Sequence, residues 1–266
     1  MKTHALAVVG GGNMGIALIG GLLSSKWIQA SQLAIVELLP AQRDELSRRF
    51  PGATVTDSIP RCSAALIAVK PPDAAAATTA AVAAGATRIL SVAAGVTLAA
   101  LEAAAGADVA VIRSMPNTPA LVGLGAAAMA AGHGADADDL AWAQQILEAV
   151  GIVITVAESQ LDAVTGLAGS GPAYLFLVAE ALVDAGVLAG LSRAHSEALT
   201  AQLLLGSATM LSQRGNPSAL RAMVTSPGGT TAAGVKALED RAVRAAFQSA
   251  VVAATDRSRE LGKGPI

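Results

Sequence analysis

The chain has 266 residues, room for two unequal domains at roughly 150 residues each; its single cysteine, Cys62, excludes an internal disulfide and a cysteine-based zinc site and fits a reducing compartment. Hydrophobic residues make up 53% and charged residues 14% where globular chains carry about 25% charge, so polar material is too scarce to coat a monomer and a membrane or a large subunit interface must cover the excess. A net charge of −2 and 2% aromatic residues argue against nucleic acid, which needs cations on phosphates and often rings under bases.

Ala5-Leu6-Ala7-Val8-Val9 reads as a short buried strand. A glycine turn follows, then an apolar helix from about Met14 to Leu23. The uncharged run Ala5 to Ser25 contains Gly10-Gly11-Gly12-Asn13, which breaks the continuous helix that a signal peptide or a spanning segment requires. Leu33-Ala34-Ile35-Val36 is a second strand and Ala41 to Phe50 a charged helix. Ala64 to Val69 is a buried strand stopped by Pro71-Pro72, Asp73 to Ala84 an alanine helix, and Arg88 to Val92 and Val109 to Ile112 are further strands. Ser114 to Ala135 is also uncharged, but Pro116, Asn117, Pro119 and an alanine-dominated composition argue against a membrane span. Ala126 to Ala130 and Ile152 to Thr155 complete the strands, with a helix from Asp136 to Val150 between them. Strands alternating with helices at this spacing predict a mainly parallel sheet covered on both faces, an α/β domain over residues 1–157.

The strand signal ends near Ala157, and residues 158–266 read as an all-α domain. Pro172 suits the first turn of a long helix, Ala173 to Ala189, because its missing N–H needs no partner there. That helix is apolar on most sides and must be buried. So short a helical segment cannot bury several such helices alone, and packing against a second copy, a homodimer, is expected.

Gly10-Gly11-Gly12-Asn13-Met14-Gly15 fits the G-x-G-x-x-G pattern between a strand and a helix. Gly10 permits the tight turn, Gly12 lets the backbone approach a pyrophosphate, and Gly15 lets helix and strand pack closely. The helix start at Asn13 and Met14 offers free N–H groups and the positive end of a dipole. Glu37 closes the second strand about 20 residues on, where an acid accepts from a ribose 2′-OH and repels a 2′-phosphate. Arg43 is placed to meet such a phosphate or to be an ordinary helix residue, which leaves NADH and NADPH both open. Val69, Lys70 and Pro71 follow a strand directly, at the edge where ligands lie in this fold, and contact the cofactor or simply form a loop.

Several later segments together resemble pyrroline-5-carboxylate reductase. They are Ala68-Val69-Lys70-Pro71, Ser91-Val92-Ala93-Ala94-Gly95-Val96, Arg113-Ser114-Met115-Pro116-Asn117-Thr118-Pro119, Asp162 to Tyr174, and Val224-Thr225-Ser226-Pro227-Gly228-Gly229-Thr230-Thr231 running into Ala232-Ala233-Gly234. The likeness spans nearly the whole chain and both domains. It implies NAD(P)H-dependent reduction of the cyclic imine 1-pyrroline-5-carboxylate to L-proline, the last step of proline biosynthesis. It also implies a Rossmann domain, an interlocking helical dimerisation domain, and dimers that often assemble into decamers; the single cysteine and the interrupted apolar runs, read on their own, fit a cytoplasmic protein. The family often carries Ser, Arg or Asn-type residues after the second strand, suiting NADP; Glu37-Leu38-Leu39-Pro40 departs from that.

The resemblance also assigns roles. Ser226, Gly228, Gly229, Thr230 and Thr231 hold the substrate carboxylate and ring nitrogen, with Thr231 as the catalytic hydroxyl; without the resemblance, the same residues read as an ordinary capping turn. Glu158 lies near the substrate, where a carboxylate favours the iminium form, or is a solvated linker acid. Ala94, Gly95 and Asn117 lie beside the nicotinamide. His4, His133 and His195 show no metal spacing and read as structural or exposed. A β-hydroxyacid dehydrogenase uses a lysine on a helix of its second domain, but Lys236 and Lys263 lie far from the Gly169 to Ala189 region. A reductase of another cyclic imine and a non-catalytic NAD(P)-binding scaffold remain as alternatives.

Overall fold

A computed structural model describes residues 3–262; Lys263, weighed among the lysines above, lies outside them. The chain divides into two compact units, one running to Ser170 and resuming at Val252, the other Gly171–Val251.

The first unit is built on one sheet of eight strands in the order β3-β2-β1-β4-β5-β6-β7-β8. In chain order its elements are β1 (Leu6–Val9), α1 (Asn13–Ser24), β2 (Leu33–Val36), α2 (Pro40–Arg49), β3 (Thr54–Thr56), β4 (Ala64–Ile67), α3 (Ala74–Ala83), β5 (Arg88–Ser91), α4 (Leu98–Ala105), β6 (Ala110–Met115), β7 (Gly125–Ala131), α5 (Ala137–Glu148), β8 (Gly151–Thr155) and α6 (Leu161–Val164). All pairs are parallel except β6 with β7. The mixed edge has a local cause: only the short 3-10 turn Thr118–Val122 separates β6 from β7, too little chain for a parallel crossover. The mainly parallel α/β fold expected from the sequence is therefore the fold observed.

The core has two layers because strand side chains alternate. Leu6 and Val8 face one cluster with Leu18, Ile19 and Leu22 of α1 and Ile146 and Leu147 of α5. Ala7 and Val9 face the other, with Ala81 of α3, Leu98 and Leu101 of α4 and Leu161 of α6. Leu18, Ile19 and Leu22 are wholly buried, and each contributes about 1.5–3 kcal/mol, so packing holds α1 against the sheet. β1 lies between β2 and β4. The chain thus winds outward in both directions from β1, and the carboxyl ends of β1 and β4 form the switch point where open α/β sheets bind ligands.

Two elements were not anticipated. β3 is a three-residue edge strand, Thr54-Val55-Thr56, with too few residues to show an alternation. α4, Leu98-Ala-Ala-Leu-Glu-Ala-Ala-Ala, follows a strand so closely that its alanines give no contrast of period, yet Thr97 caps it by accepting from the N–H of Ala100 at 3.2 Å. β6 also extends three residues past the expected Ile112, to Met115.

The second unit is helical: α7 (Gly171–Leu188), α8 (Arg193–Arg214), α9 (Pro217–Met223), α10 (Thr230–Asp240) and the start of α11 (Val243–Leu261). Pro172 does sit in the first turn of α7. α7 and α8 pair, tied where Ser196 donates to the carbonyl of Val183 at 2.8 Å. No residue of α7 is buried in the single chain, and Leu175, Phe176, Leu177 and Leu188 are exposed. The last turns of α11 belong to the first unit, where Ser258 donates to Asp162 at 2.7 Å.

Candidate active site

The sequence-predicted cofactor residues of the first unit converge on one edge of the sheet. Register pairs Val9 with Val36 and Ile67, Ile67 with Ser91, and Ser91 with Arg113. The segments that follow these residues therefore emerge together: the Gly10–Gly15 turn, Glu37, Val69-Lys70-Pro71, the Ala94-Gly95 turn and Asn117.

The three glycines of the turn differ physically. Gly10 has φ +109°, and a Cβ there would come within 2.5 Å of the Ala68 carbonyl oxygen. A Cβ on Gly15 would overlap the carbonyl oxygen of Gly10. Gly12 has ordinary extended backbone, and a Cβ there would meet nothing within 4 Å. The protein's own packing thus requires Gly10 and Gly15 and leaves Gly12 as bare backbone facing open space. Gly12 is also the N-cap of α1, which no side chain caps, so the first N–H groups of the helix are available to an anion. These features fit a dinucleotide pyrophosphate.

Glu37 is half-buried at the end of β2. Its carboxylate accepts from the N–H of Gly11 at 3.0 Å and of Leu39 at 3.0 Å, so the phosphate turn and the acid are one assembly. Gln42 of α2 adds a third tie, donating to the Gly11 carbonyl at 3.1 Å. Arg43 folds back and donates to the carbonyls of Glu37 and Leu38 at 2.9 and 2.7 Å. Lys70 is exposed.

Asn117 is buried, and both ends of its amide are engaged: it donates to the Ala168 carbonyl at 3.0 Å and accepts from the N–H of Ala126 at 2.8 Å. Ala168 lies in a π-turn, Thr165–Gly169. Asn117 thus clamps that turn to β7. Glu158 is not a free linker acid: one oxygen accepts from the N–H of Leu98, at the start of α4, at 2.7 Å and from Arg113 at 2.9 Å. Arg113 has a side chain only 8% exposed and is a residue of the site that the sequence does not single out. The signal was an arginine continuing an apolar strand, which must find an acid partner or stay out of the core.

In the second unit, Ser226, Gly228, Gly229, Thr230 and Thr231 form the entry to α10. Gly228 has φ +70°, the left-handed backbone that glycine adopts freely. A Cβ on Gly229 would crowd Ser226 Oγ at 2.5 Å. Gly229 is the N-cap and no side chain caps the helix. The N–H groups of Thr230 and Thr231 are therefore free of intrahelical partners, beside the hydroxyls of Ser226, Thr230 and Thr231. Such a turn can receive a carboxylate.

Among the described residues no three His, Cys, Asp or Glu side chains gather as a metal site. His4 is buried with Nε2 3.0 Å from Thr54 Oγ1, and His133 is exposed beside Glu102.

A profile described as "Pyrroline-5-carboxylate reductase dimerisation" matches residues 158–261, and one described as "NADP oxidoreductase coenzyme F420-dependent" matches residues 5–95. The pyrroline-5-carboxylate reductase of Corynebacterium melassecola is 40% identical, over 97% of this chain and 98% of its own. A solved pyrroline-5-carboxylate reductase from Coxiella burnetii superposes with a TM-score of 0.90 at 33% identity, over 99% of this chain and 100% of its own. The Plasmodium falciparum pyrroline carboxylate reductase, solved with NADP bound, gives 0.85 at 29% identity over the same shares. With this identity sustained over nearly the full length of both chains, the protein belongs to the pyrroline-5-carboxylate reductase family.

Proposed function

We propose that the protein reduces 1-pyrroline-5-carboxylate to L-proline at the expense of NAD(P)H. The reaction adds a hydride to the carbon of the ring C=N bond and a proton to its nitrogen. The hydride comes from the reduced nicotinamide when NAD(P)H is bound. The observation that carries the reading is that, among the described residues, two separate helix starts follow a glycine and have no side-chain cap: Gly12 before α1 and Gly229 before α10. A dinucleotide and an amino-acid-like carboxylate each need one.

On this reading Gly10, Gly12, Asn13, Met14 and Gly15 hold the pyrophosphate and Glu37 the adenosine ribose. Val69, Lys70 and Pro71 wall the crevice, and Ala94 and Gly95 border the nicotinamide. Asn117 lies beside the nicotinamide and also fixes the Ala126 and Ala168 backbone. Ser226 and the N–H groups of Thr230 and Thr231 orient the carboxylate, so that one face of the imine ring is presented. The Thr231 hydroxyl hydrogen-bonds the ring nitrogen as its charge changes. Glu158 holds the start of α4 through the Leu98 N–H and is itself held by Arg113.

The functional division falls at residues 1–157 and 158–266, the second part being the dimerisation domain. The exposed apolar face of α7 is then covered by a second copy in a homodimer, and dimers stack into a decamer. The stretch Glu158–Leu188 is long and apolar enough to cross a membrane by length and composition, but Asp162, the π-turn and Glu180 and Asp184 within it favour a protein interface in a cytoplasmic enzyme. Neither a membrane nor nucleic acid is a partner on this reading. The test is product formation: incubation with 1-pyrroline-5-carboxylate and reduced nicotinamide should yield L-proline, measured by chromatography, in step with cofactor oxidation. Cofactor binding without proline would leave a non-catalytic binder.

A further inference from the structure

We propose that Glu37 makes this protein selective for NADH over NADPH. The inference rests on the dinucleotide reading above and deepens it. Four observations on the chain carry it. Glu37 stands at the carboxyl end of β2, beside β1 and its phosphate turn. Its carboxylate is already aimed, because the N–H groups of Gly11 and Leu39 hold one oxygen each at 3.0 Å. Each oxygen keeps a lone pair for a further donor. A ribose 2′-OH is such a donor; a 2′-phosphate offers only oxygens and negative charge.

The third observation concerns the cation that would reverse this preference. Arg43, six residues on, is the natural clamp for a 2′-phosphate, yet one end of its guanidinium, Nη1, is turned back onto the loop. It donates to the carbonyls of Glu37 and Leu38 at 2.9 and 2.7 Å and lies 3.9 Å from Asp57. Turning outward would strip two carbonyls of their donor and leave Glu37 facing the phosphate. Fourth, the residues between are Leu38 and Leu39, both exposed, which present neither a hydroxyl nor a charge to a phosphate. Arg43 therefore serves the acid's loop and not the cofactor. The name of the profile over residues 5–95 mentions NADP, and the Plasmodium falciparum relative was solved with NADP, so the inference is specific to this chain's own residues.

The experiment is equilibrium titration of the whole protein with NADH and with NADPH, followed by nicotinamide fluorescence, without substrate. NADH should bind more tightly by roughly tenfold to a hundredfold, the equivalent of one charge-assisted hydrogen bond. In Glu37→Gln and Glu37→Ser the ratio of the two dissociation constants should fall toward unity or invert, with NADH weakened in both. A ratio is insensitive to any loss of folded protein. Equal or tighter NADPH binding by the wild type, or an unchanged ratio in both variants, overturns the selectivity while leaving the reductase reading intact. Failure of both cofactors to bind overturns the two together.

Discussion

Gly12→Ala separates what the fold needs from what the ligand needs. Gly12 has φ −75° and ψ −177°, which alanine adopts without strain, and a Cβ there meets no atom within 4 Å. Losing glycine at an N-cap costs up to about 1 kcal/mol, and the stiffer unfolded chain returns about 0.4–1 kcal/mol, so the two nearly cancel. The melting temperature should stay within about 2–4 °C of wild type, since 1 kcal/mol moves a chain of this size by that much. The methyl group would project from bare backbone toward the space assigned to the pyrophosphate. NAD(P)H affinity should then fall by tenfold or more, about 1.4 kcal/mol, as measured by fluorescence titration. Gly15→Ala is the contrasting control. Its methyl overlaps the Gly10 carbonyl, backbone that is itself pressed on Ala68, and overpacking of this kind costs about 1–3 kcal/mol. That variant should lose stability as well as affinity. Wild-type cofactor affinity in Gly12→Ala would refute the placement of the pyrophosphate; a large loss of stability in Gly12→Ala would refute the packing argument.

Thr231→Ala should lower kcat by about two to three orders of magnitude, a single hydrogen bond aimed at changing charge contributing about 2.7–4 kcal/mol, while NAD(P)H dissociation constants hold steady; equal kcat would remove the hydroxyl from the chemistry. Glu158→Ala strands a buried guanidinium and an uncapped Leu98 N–H, and should destabilise by about 1–3 kcal/mol with partial recovery in Glu158→Gln, which retains an acceptor; thermal unfolding of both variants checks this. Asp136 caps α5 by accepting from the N–H groups of Asp139 and Asp138 at 2.9 Å, and these bonds, that from Asp139 foremost, hold its carboxyl below the usual aspartate value. A depressed carboxyl stabilises the fold fully above its unfolded pKa and loses that contribution as pH falls through the folded one. Asp136→Asn should therefore flatten the stability profile below about pH 4, and a profile identical to wild type there would contradict the capping role.

The parallel sheet was legible because its strands are short runs of buried branched residues separated by glycine, and both faces are apolar. The glycine turn was legible residue by residue: positive φ at Gly10, helix packing at Gly15 and open backbone at Gly12. What escaped had weak local contrast. Thr54-Val55-Thr56 is held by pairing with β2, a tertiary cause that leaves no period in the sequence. The ion pair between Arg113 and Glu158 joins residues 45 positions apart, and spacing reveals nothing at that range. Asn117 is legible as a loop residue near the site, but the tie its amide makes between Ala126 and Ala168 is tertiary and leaves no local signal. The partner expected for α7 rested on composition, and its bare apolar face in the single chain has the same physical meaning: that surface requires a cover.

The central claim is that the turn from Ser226 to Thr231 receives the carboxylate of a small cyclic imino acid. The most direct measurement is a crystal structure of the protein with L-proline. The account predicts the proline carboxylate within hydrogen-bond reach of the Thr230 and Thr231 N–H groups, with the ring nitrogen toward the Thr231 hydroxyl. Proline bound elsewhere, with that turn left empty, would contradict it.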